Sequence, residues 1–419
     1  MARKLITFLG TSKYDTCNYE LNGVKANPTE YIQEAIIDLY NKRNTSIDEI
    51  HVLLTKEARE NNWDGDNKLN KKLMNYPKLN IHAHDISSRQ DIDIIWQLFD
   101  TIINIMEKND QIVFDITHSF RYQPMLALLS IHFARITKDV QVDGIYYGVY
   151  DSKVEVKDFP IIDLTSFVDL QDWITNVYAF IKTGRVESLT EWIQNREKAI
   201  SREERKSTID LKYVRQLAKN WQELASALQT NRSMDLSSTA EKAKESIQAV
   251  KNVMLRPAFT PLNELLLNVE SEIKPIADED PIYSGVAAIE WCFKHGLYQQ
   301  SYTMADELMI TAICLKHHMQ INNREDRKWA AKILNTAIKE SQKINGSHGD
   351  VKDEDRKIVD DLQDYPELLN ILHTMKDNRN DINHAGWRNN PLASKVLEEH
   401  FISMFETYKT QLLNYYGKR

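Results

Sequence analysis

Two grammars of hydrophobic spacing divide the chain. In residues 1–160, short apolar runs alternate with amphipathic stretches. Leu5 to Gly10, His51 to Thr55, Asn80 to Asp85, Gln111 to Asp115 and Gly144 to Val149 read as strands, and Asn27 to Asn41, Ser88 to Glu107 and Pro124 to Thr137 as helices. Alternation of this kind, with continuously apolar strands, predicts an α/β Rossmann-like domain whose parallel sheet is covered on both faces.

From about Asp163 the period becomes helical. Leu164 to Thr183 and Val186 to Arg205 read as helices split by Gly184, followed by Ile209 to Leu228, Ser238 to Leu255 and a link punctuated by Pro257 and Pro261. The mixed-sign run Arg202 to Lys206 reads as a solvated helix face. A second break falls at Ile273 to Pro281, and helices follow at Ser284 to His295, Leu297 to Met319, Arg327 to Ser341, Tyr365 to Ile382 and Pro391 to Tyr416, with Gly346 to Glu354 as an exposed loop. The breaks predict a sensor-like domain over 1–160, a helical connector over 161–280 and an all-α bundle over 281–419.

Composition narrows the functional classes. With 42% hydrophobic residues, 12 Gly and 10 Pro in 419 residues, the chain has the make-up of compact domains. No apolar run approaches the ~20 residues of a membrane span. The N-terminus reads as a first strand instead of a signal peptide, so a cytoplasmic location is expected. Cys17, Cys292 and Cys314 lack CxxC spacing, which suits a reducing compartment. His82 and His84, and the pair His317-His318, come without HExxH or matching partners, so no metal site is expected. A net charge of −8 argues against a protein that coats nucleic acid, and no stable DNA binding is expected.

Candidate chemistry gathers in three segments. In open α/β sheets ligands bind beyond the carboxyl ends of strands where strand order reverses, which directs attention to the loops after the first and fourth strands. These are Gly10-Thr11-Ser12-Lys13-Tyr14-Asp15 and Asp115-Ile116-Thr117-His118-Ser119-Phe120-Arg121. Hydroxyls and amides suit phosphate oxygens, Arg121 can fork a phosphate, and Tyr14 or Phe120 can stack on a base. Neither GxGxxG nor a P-loop is present. Thr11, Ser12, Thr117 and Ser119 can also be read as helix caps, though capping leaves His118 and Arg121 unexplained. The third segment is Arg379-Asn380-Asp381-Ile382-Asn383-His384, in which Asn380 and His384 lie one helical turn apart with Arg379 on the adjoining edge. Guanidinium and imidazole are the pair that metal-free RNA cleavage uses.

Taken in order, Leu9-Gly10-Thr11-Ser12, Asp115 to Arg121, Glu290-Trp291-Cys292-Phe293-Lys294-His295-Gly296-Leu297-Tyr298-Gln299-Gln300 and Arg379-Asn380-x-x-x-His384 resemble the CARF-HEPN ancillary ribonucleases of type III CRISPR systems, the Csx and Csm effectors. The resemblance implies a homodimer whose sensor domain binds a cyclic oligoadenylate, the tetra-adenylate ring ahead of the hexa-adenylate, and whose HEPN domain over 281–419 then cuts single-stranded RNA without a metal or other cofactor. It places Gly10, Thr11, Ser12, Tyr14, Asp115, Thr117, His118, Ser119, Phe120 and Arg121 at the activator and Arg379, Asn380 and His384 at the nuclease centre. Trp387 and Arg388 are candidates for holding RNA, with core packing as the other reading for the tryptophan. The rival readings are a ligand-sensing transcription regulator with an inert helical domain and a ring nuclease that degrades its activator.

Overall fold

Strand β1 (Arg3–Leu9) is buried from Lys4 to Leu9, and the alternation of its side chains builds two cores. Leu5 and Leu9 point into one, with Ile50, Val52 and Leu54 of β4 (Glu49–Leu54) and helix α1 (Ile32–Lys42). Ile6 and Phe8 point into the other, with Leu53, Phe114 of β6 (Gln111–Asp115), Leu98 and Ile102 of α4 (Ile92–Ile105), and Leu126 and Ile131 of α5 (Gln123–Lys138). A strand covered on both faces needs no polar alternation, which explains the unbroken apolar runs. The computed structural model describes residues 1–89, 91–150, 158–191, 194, 209–253, 262–343 and 352–417. It divides into two compact units, Met1–Gln171 and Asp172–Arg419.

The first unit holds one eight-stranded sheet of order β3-β2-β8-β7-β6-β1-β4-β5. Strands β1, β4, β5 (Asn80–Asp85), β6 and β7 (Gln141–Gly148) are parallel neighbours. The purely parallel expectation is corrected at the other side: β8 (Asp158–Asp163) runs antiparallel to β7, and β2 (Asn18–Leu21) pairs antiparallel with the two-residue β3 (Val24–Lys25). Asn22 and Gly23, both with positive φ, make the tight turn between β2 and β3, the backbone that an Asn-Gly hairpin favours. Between β4 and β5 the chain inserts α2 (Lys56–Ala58), a π-helical turn over Arg59–Trp63 and α3 (Leu69–Leu73). Helix α4 starts later than the predicted Ser88, because the Asp91 carboxylate caps it by accepting the Ile94 amide at 3.2 Å.

The second unit contains helices and connecting turns, with no strand among its described residues. The division falls inside α6 (Ser166–Thr183). Helices Ile209–Gln229, Leu236–Val253, Leu262–Ile273, Pro281–Lys294, Tyr298–Lys316, Arg324–Ser341, Pro366–Asn383 and Ser394–Tyr416 follow. A further helix, Asp353–Gln363, begins inside the segment expected to be a loop; three acidic residues in its first turn favour that start electrostatically. Most of the expected helix from Val186 to Arg205, the proline link and the Arg202 to Lys206 run lie outside the described residues.

Gly184 ends α6 with φ +66°, and a Cβ there would lie 2.1 Å from Trp291 Cη2. The Trp291 ring is in turn stacked on His295 at 3.8 Å, and Phe180 stacks on the buried Trp221 at 4.9 Å. Gly184→Ala therefore combines left-handed backbone strain with an overpacked core, and is expected to lower unfolding free energy by about 1–3 kcal/mol in urea titration. An unchanged midpoint would contradict this packing.

Candidate functional site

Strands β4 and β6 flank β1 on opposite sides, so the chain winds away from β1 in both directions and leaves a crevice beyond the carboxyl ends of β1 and β6. A cavity of about 440 Å³ occupies it. Gly10 to Asp15, Thr117 to Phe120, and Tyr147, Gly148 and Tyr150 contribute to its lining. Gly10 is required by close approach, since a Cβ would lie 2.6 Å from the Tyr14 hydroxyl. The Tyr14 ring lies on the His118 imidazole with centroids 4.5 Å apart. Tyr150 donates to Asp15 at 2.8 Å across the rim.

The cavity floor is held by Asp115. Its fully buried carboxylate accepts from Thr7 at 2.6 Å and from the Thr117 amide at 3.0 Å, and also from the Thr117 hydroxyl. That hydroxyl accepts the Gly148 amide at 2.8 Å, while Thr7 accepts from Gln33 of α1 at 3.0 Å. Burial raises the Asp115 carboxyl above the usual carboxylate range, opposed by His118 and by the hydrogen bonds. Burial lowers the His118 imidazole below its ordinary value, with Asp115 pulling the other way. Burial thus works against charge on either member of this pair.

Two expected ligand groups lie off this lining. Asp115 is buried beneath the floor with its oxygens already engaged, which makes it a brace instead of a contact. Arg121 is exposed just before α5 and is absent from the lining, although Phe120 and Gln123 on either side of it contribute to that lining. The Thr117 and Ser119 hydroxyls face the cavity with one proton each already donated, Ser119 to the Ile116 carbonyl at 2.7 Å. Lys13, exposed at the rim, is the basic side chain among the lining residues.

Sequence reading passed over Asn61 and Asn62 in the π-helical turn. The buried Asn62 amide donates to the carbonyls of Gly10 at 2.9 Å and Ser12 at 2.8 Å, and Asn61 donates to Thr11 at 3.1 Å. A π turn re-aims side chains that a regular helix would carry elsewhere, and here it staples the loop after β1.

In the helical unit, Arg379 lies in helix Pro366–Asn383, and His384 caps its C-terminus with its amide bonded to the Asn380 carbonyl at 3.0 Å. Both Asn380 and His384 are exposed. Arg379 donates to the buried carboxylate of Asp306 and, at 3.4 Å, to the Asn380 side chain. Lys376 stands 3.4 Å from the other Asp306 oxygen. Two cations thus share one carboxylate, which fixes the guanidinium and leaves a net positive charge at that spot. Asp306 and Lys376 were both missed; the legible sign was the acidic pair Asp306-Glu307 within the otherwise largely apolar run Tyr302 to Cys314. Beyond the helix, Ala385 and Gly386 take positive φ, and the Trp387 side chain is 88% exposed, which overturns core packing for it. Arg388 turns back to the Asp377 carbonyl at 3.0 Å.

His82 and His84 project from the same face of β5 and meet two residues of β4 that the sequence reading had not joined to them. His51 approaches His84 at 3.0 Å through Nδ1 and Glu49 at 3.0 Å through Nε2.

Fold and cavity define the class: a Rossmann-like domain with a cavity at its switch point, followed by a helical region. Residues 4–152 match the family described as CRISPR system endoribonuclease Csx1, CARF domain, and residues 169–276 match CRISPR-associated protein MJ1674, second domain. The CRISPR-associated protein MJ1674 of Methanocaldococcus jannaschii is 34% identical over 132 residues, which cover 30% of this chain and 21% of that protein. The matched segment thus spans about a fifth of that relative's length. Two segments of this chain are thus similar to CRISPR-associated proteins, the first of them to a CARF domain. No helix among the described residues is long and apolar enough to cross a membrane.

Asn62→Ala removes two loop-holding hydrogen bonds, and is expected to cost about 1–3 kcal/mol while raising amide exchange across Gly10 to Asp15. Exchange unchanged in that loop would show that Asn62 does not hold it.

Proposed function

We propose that this chain is a cyclic oligoadenylate-activated, metal-independent endoribonuclease that cuts single-stranded RNA in type III CRISPR antiviral defence. One observation carries the sensing half: every residue lining the switch-point cavity lies within the segment that matches the CARF family. Amides and hydroxyls of Thr11 and Ser12, with Lys13, suit the phosphates of a cyclic oligoadenylate, and Tyr14, His118 and Phe120 offer flat surfaces to adenine. A tetra-adenylate ring lies across two copies of the cavity in a homodimer, where Arg121 outside each cavity can fork a phosphate. An exposed apolar face on α4 and α5, made by Ile92, Trp96, Met125, Leu129, Phe133 and Ile136, supports self-association, since monomers rarely leave such contiguous patches in water.

Residues 281–419 act as a HEPN bundle in this reading. The substrate 2′-hydroxyl attacks the adjacent phosphate and expels the 5′-oxygen, leaving a 2′,3′-cyclic phosphate and a 5′-hydroxyl. His384 moves the proton, as an imidazole can near neutral pH. Arg379 neutralises charge growing on the phosphorane, and Asp306 holds it in place to do so. Asn380 orients the imidazole or a phosphate oxygen. Two such helices from two subunits make one composite centre, and Trp387 stacks on a substrate base.

Wild-type protein with cyclic tetra-adenylate is expected to cut a generic single-stranded RNA in the presence of EDTA. His384→Ala is expected to abolish cutting, by about 10²-fold or more, while activator binding measured by calorimetry is retained. Full cleavage by His384→Ala, or cleavage lost to EDTA, would refute the mechanism. Leu129→Asp with Phe133→Asp is expected to convert a dimer to a monomer in sedimentation analysis; an unchanged dimer would place the interface elsewhere.

A further inference from the structure

We propose that Glu49, His51 and His82 form a binding site for a first-row divalent cation of the zinc class, with His84 as its outer support. The inference is independent of the nuclease reading. Glu49 and His51 are two residues apart on β4 and so share one face of the sheet, and His82 is the direct ladder partner of His51 on β5. One potential ligand atom from each of Glu49, His51 and His82 lies within 4.8 Å of the others. His51 is buried, at 6% exposure; its ring lies over that of the exposed His82, with centroids 4.6 Å apart and planes 10° from parallel, so His82 must turn about its side-chain bonds to bring a nitrogen lone pair onto the same ion.

The hydrogen bonds assign the ligand atoms. His51 Nε2 stands 3.0 Å from Glu49 Oε2, close to the ~3.3 Å between adjacent ligands of a tetrahedral ion with bonds of ~2.0–2.1 Å. The other nitrogen, Nδ1, stands 3.0 Å from His84 Nε2. A metal-bound histidine characteristically donates its second ring N–H to an outer partner, which fixes tautomer and ring orientation. His84 supplies that partner. Three protein ligands with a water completing the shell, two of them imidazoles and one a carboxylate, suit zinc or cobalt better than calcium or magnesium. The Lys4 ammonium lies 3.7 Å from Glu49, but at 2.8 Å from Asp110 and 3.0 Å from the Ile105 carbonyl it is satisfied elsewhere.

The bound ion would fasten β5, the last strand of the sheet, to β4. An edge strand presents an unpaired ladder to solvent and gains most from a clip. The carboxyl end of β5 runs directly into Ile86, which lines the activator cavity.

The test uses the full chain, stripped with a chelator, dialysed and titrated with CoCl₂ while visible d–d absorption is followed, with ZnCl₂ as competitor. Wild-type protein is expected to bind one ion per chain, displaced by zinc. His82→Ala, a change at an exposed edge position, is expected to abolish the absorption with its circular dichroism unchanged, and His82→Cys to restore binding. His84→Ala, which keeps all three ligands, is expected to weaken affinity by about 10–100-fold. Absence of cobalt absorption in wild-type protein, or full binding by His82→Ala, would overturn the site. The readout is metal binding alone, so the result stands apart from any assay of RNA cleavage.

Discussion

A single buried carboxylate organises the Rossmann-like unit of this protein. Asp115 sits at the carboxyl end of β6 and ties that strand to β1 through Thr7, to its own following loop through Thr117, and by way of the Thr117 hydroxyl to Gly148 at the end of β7. Burying such a group is costly unless hydrogen bonds saturate it, and these bonds exist only when three strands end in register. The crevice beyond them is therefore shaped before any ligand arrives. His118 is part of the same arrangement: its imidazole is pressed against Tyr14 and electrostatically coupled to Asp115, so a ligand displacing that ring is felt at the joint between strands.

The helical half uses a carboxylate differently. Asp306 holds Arg379 and Lys376 together, spending one negative charge to keep two positive ones in fixed positions. An arginine anchored on one edge retains donors on the other, and its planar fork loses little freedom when a phosphate arrives. Asn380 and His384 remain exposed beside it. In the proposed reading, rigidity comes from within one chain and the exposed groups meet the second subunit and the substrate.

What the sequence made legible follows from the range of the interactions involved. The five parallel strands and most long helices declare themselves because burial on two faces, or on one stripe, is written into local spacing. The antiparallel edge escaped notice because β2 and β3 are so short and because Pro160 interrupts the strand signature of β8; the Asn22-Gly23 turn was the available clue. Topology and residue types pointed to the loops after β1 and β6, and residues of both line the cavity. Their supports were not legible, because Asn62 reaches Gly10 and Ser12 from about fifty positions away, and Asp306 reaches Arg379 from further still. The cluster of Glu49, His51, His82 and His84 depends on the register between two strands, which no local spacing records.

The central claim is that the crevice beyond β1 and β6 receives the activator. Its most direct test is mass spectrometry of the protein photo-crosslinked to an azido-adenosine derivative of cyclic tetra-adenylate, with unmodified ring as competitor. The account predicts competed adducts within Gly10 to Asp15 and Thr117 to Phe120. Competed adducts confined to the helices after Asp172, with none in either loop, would contradict it.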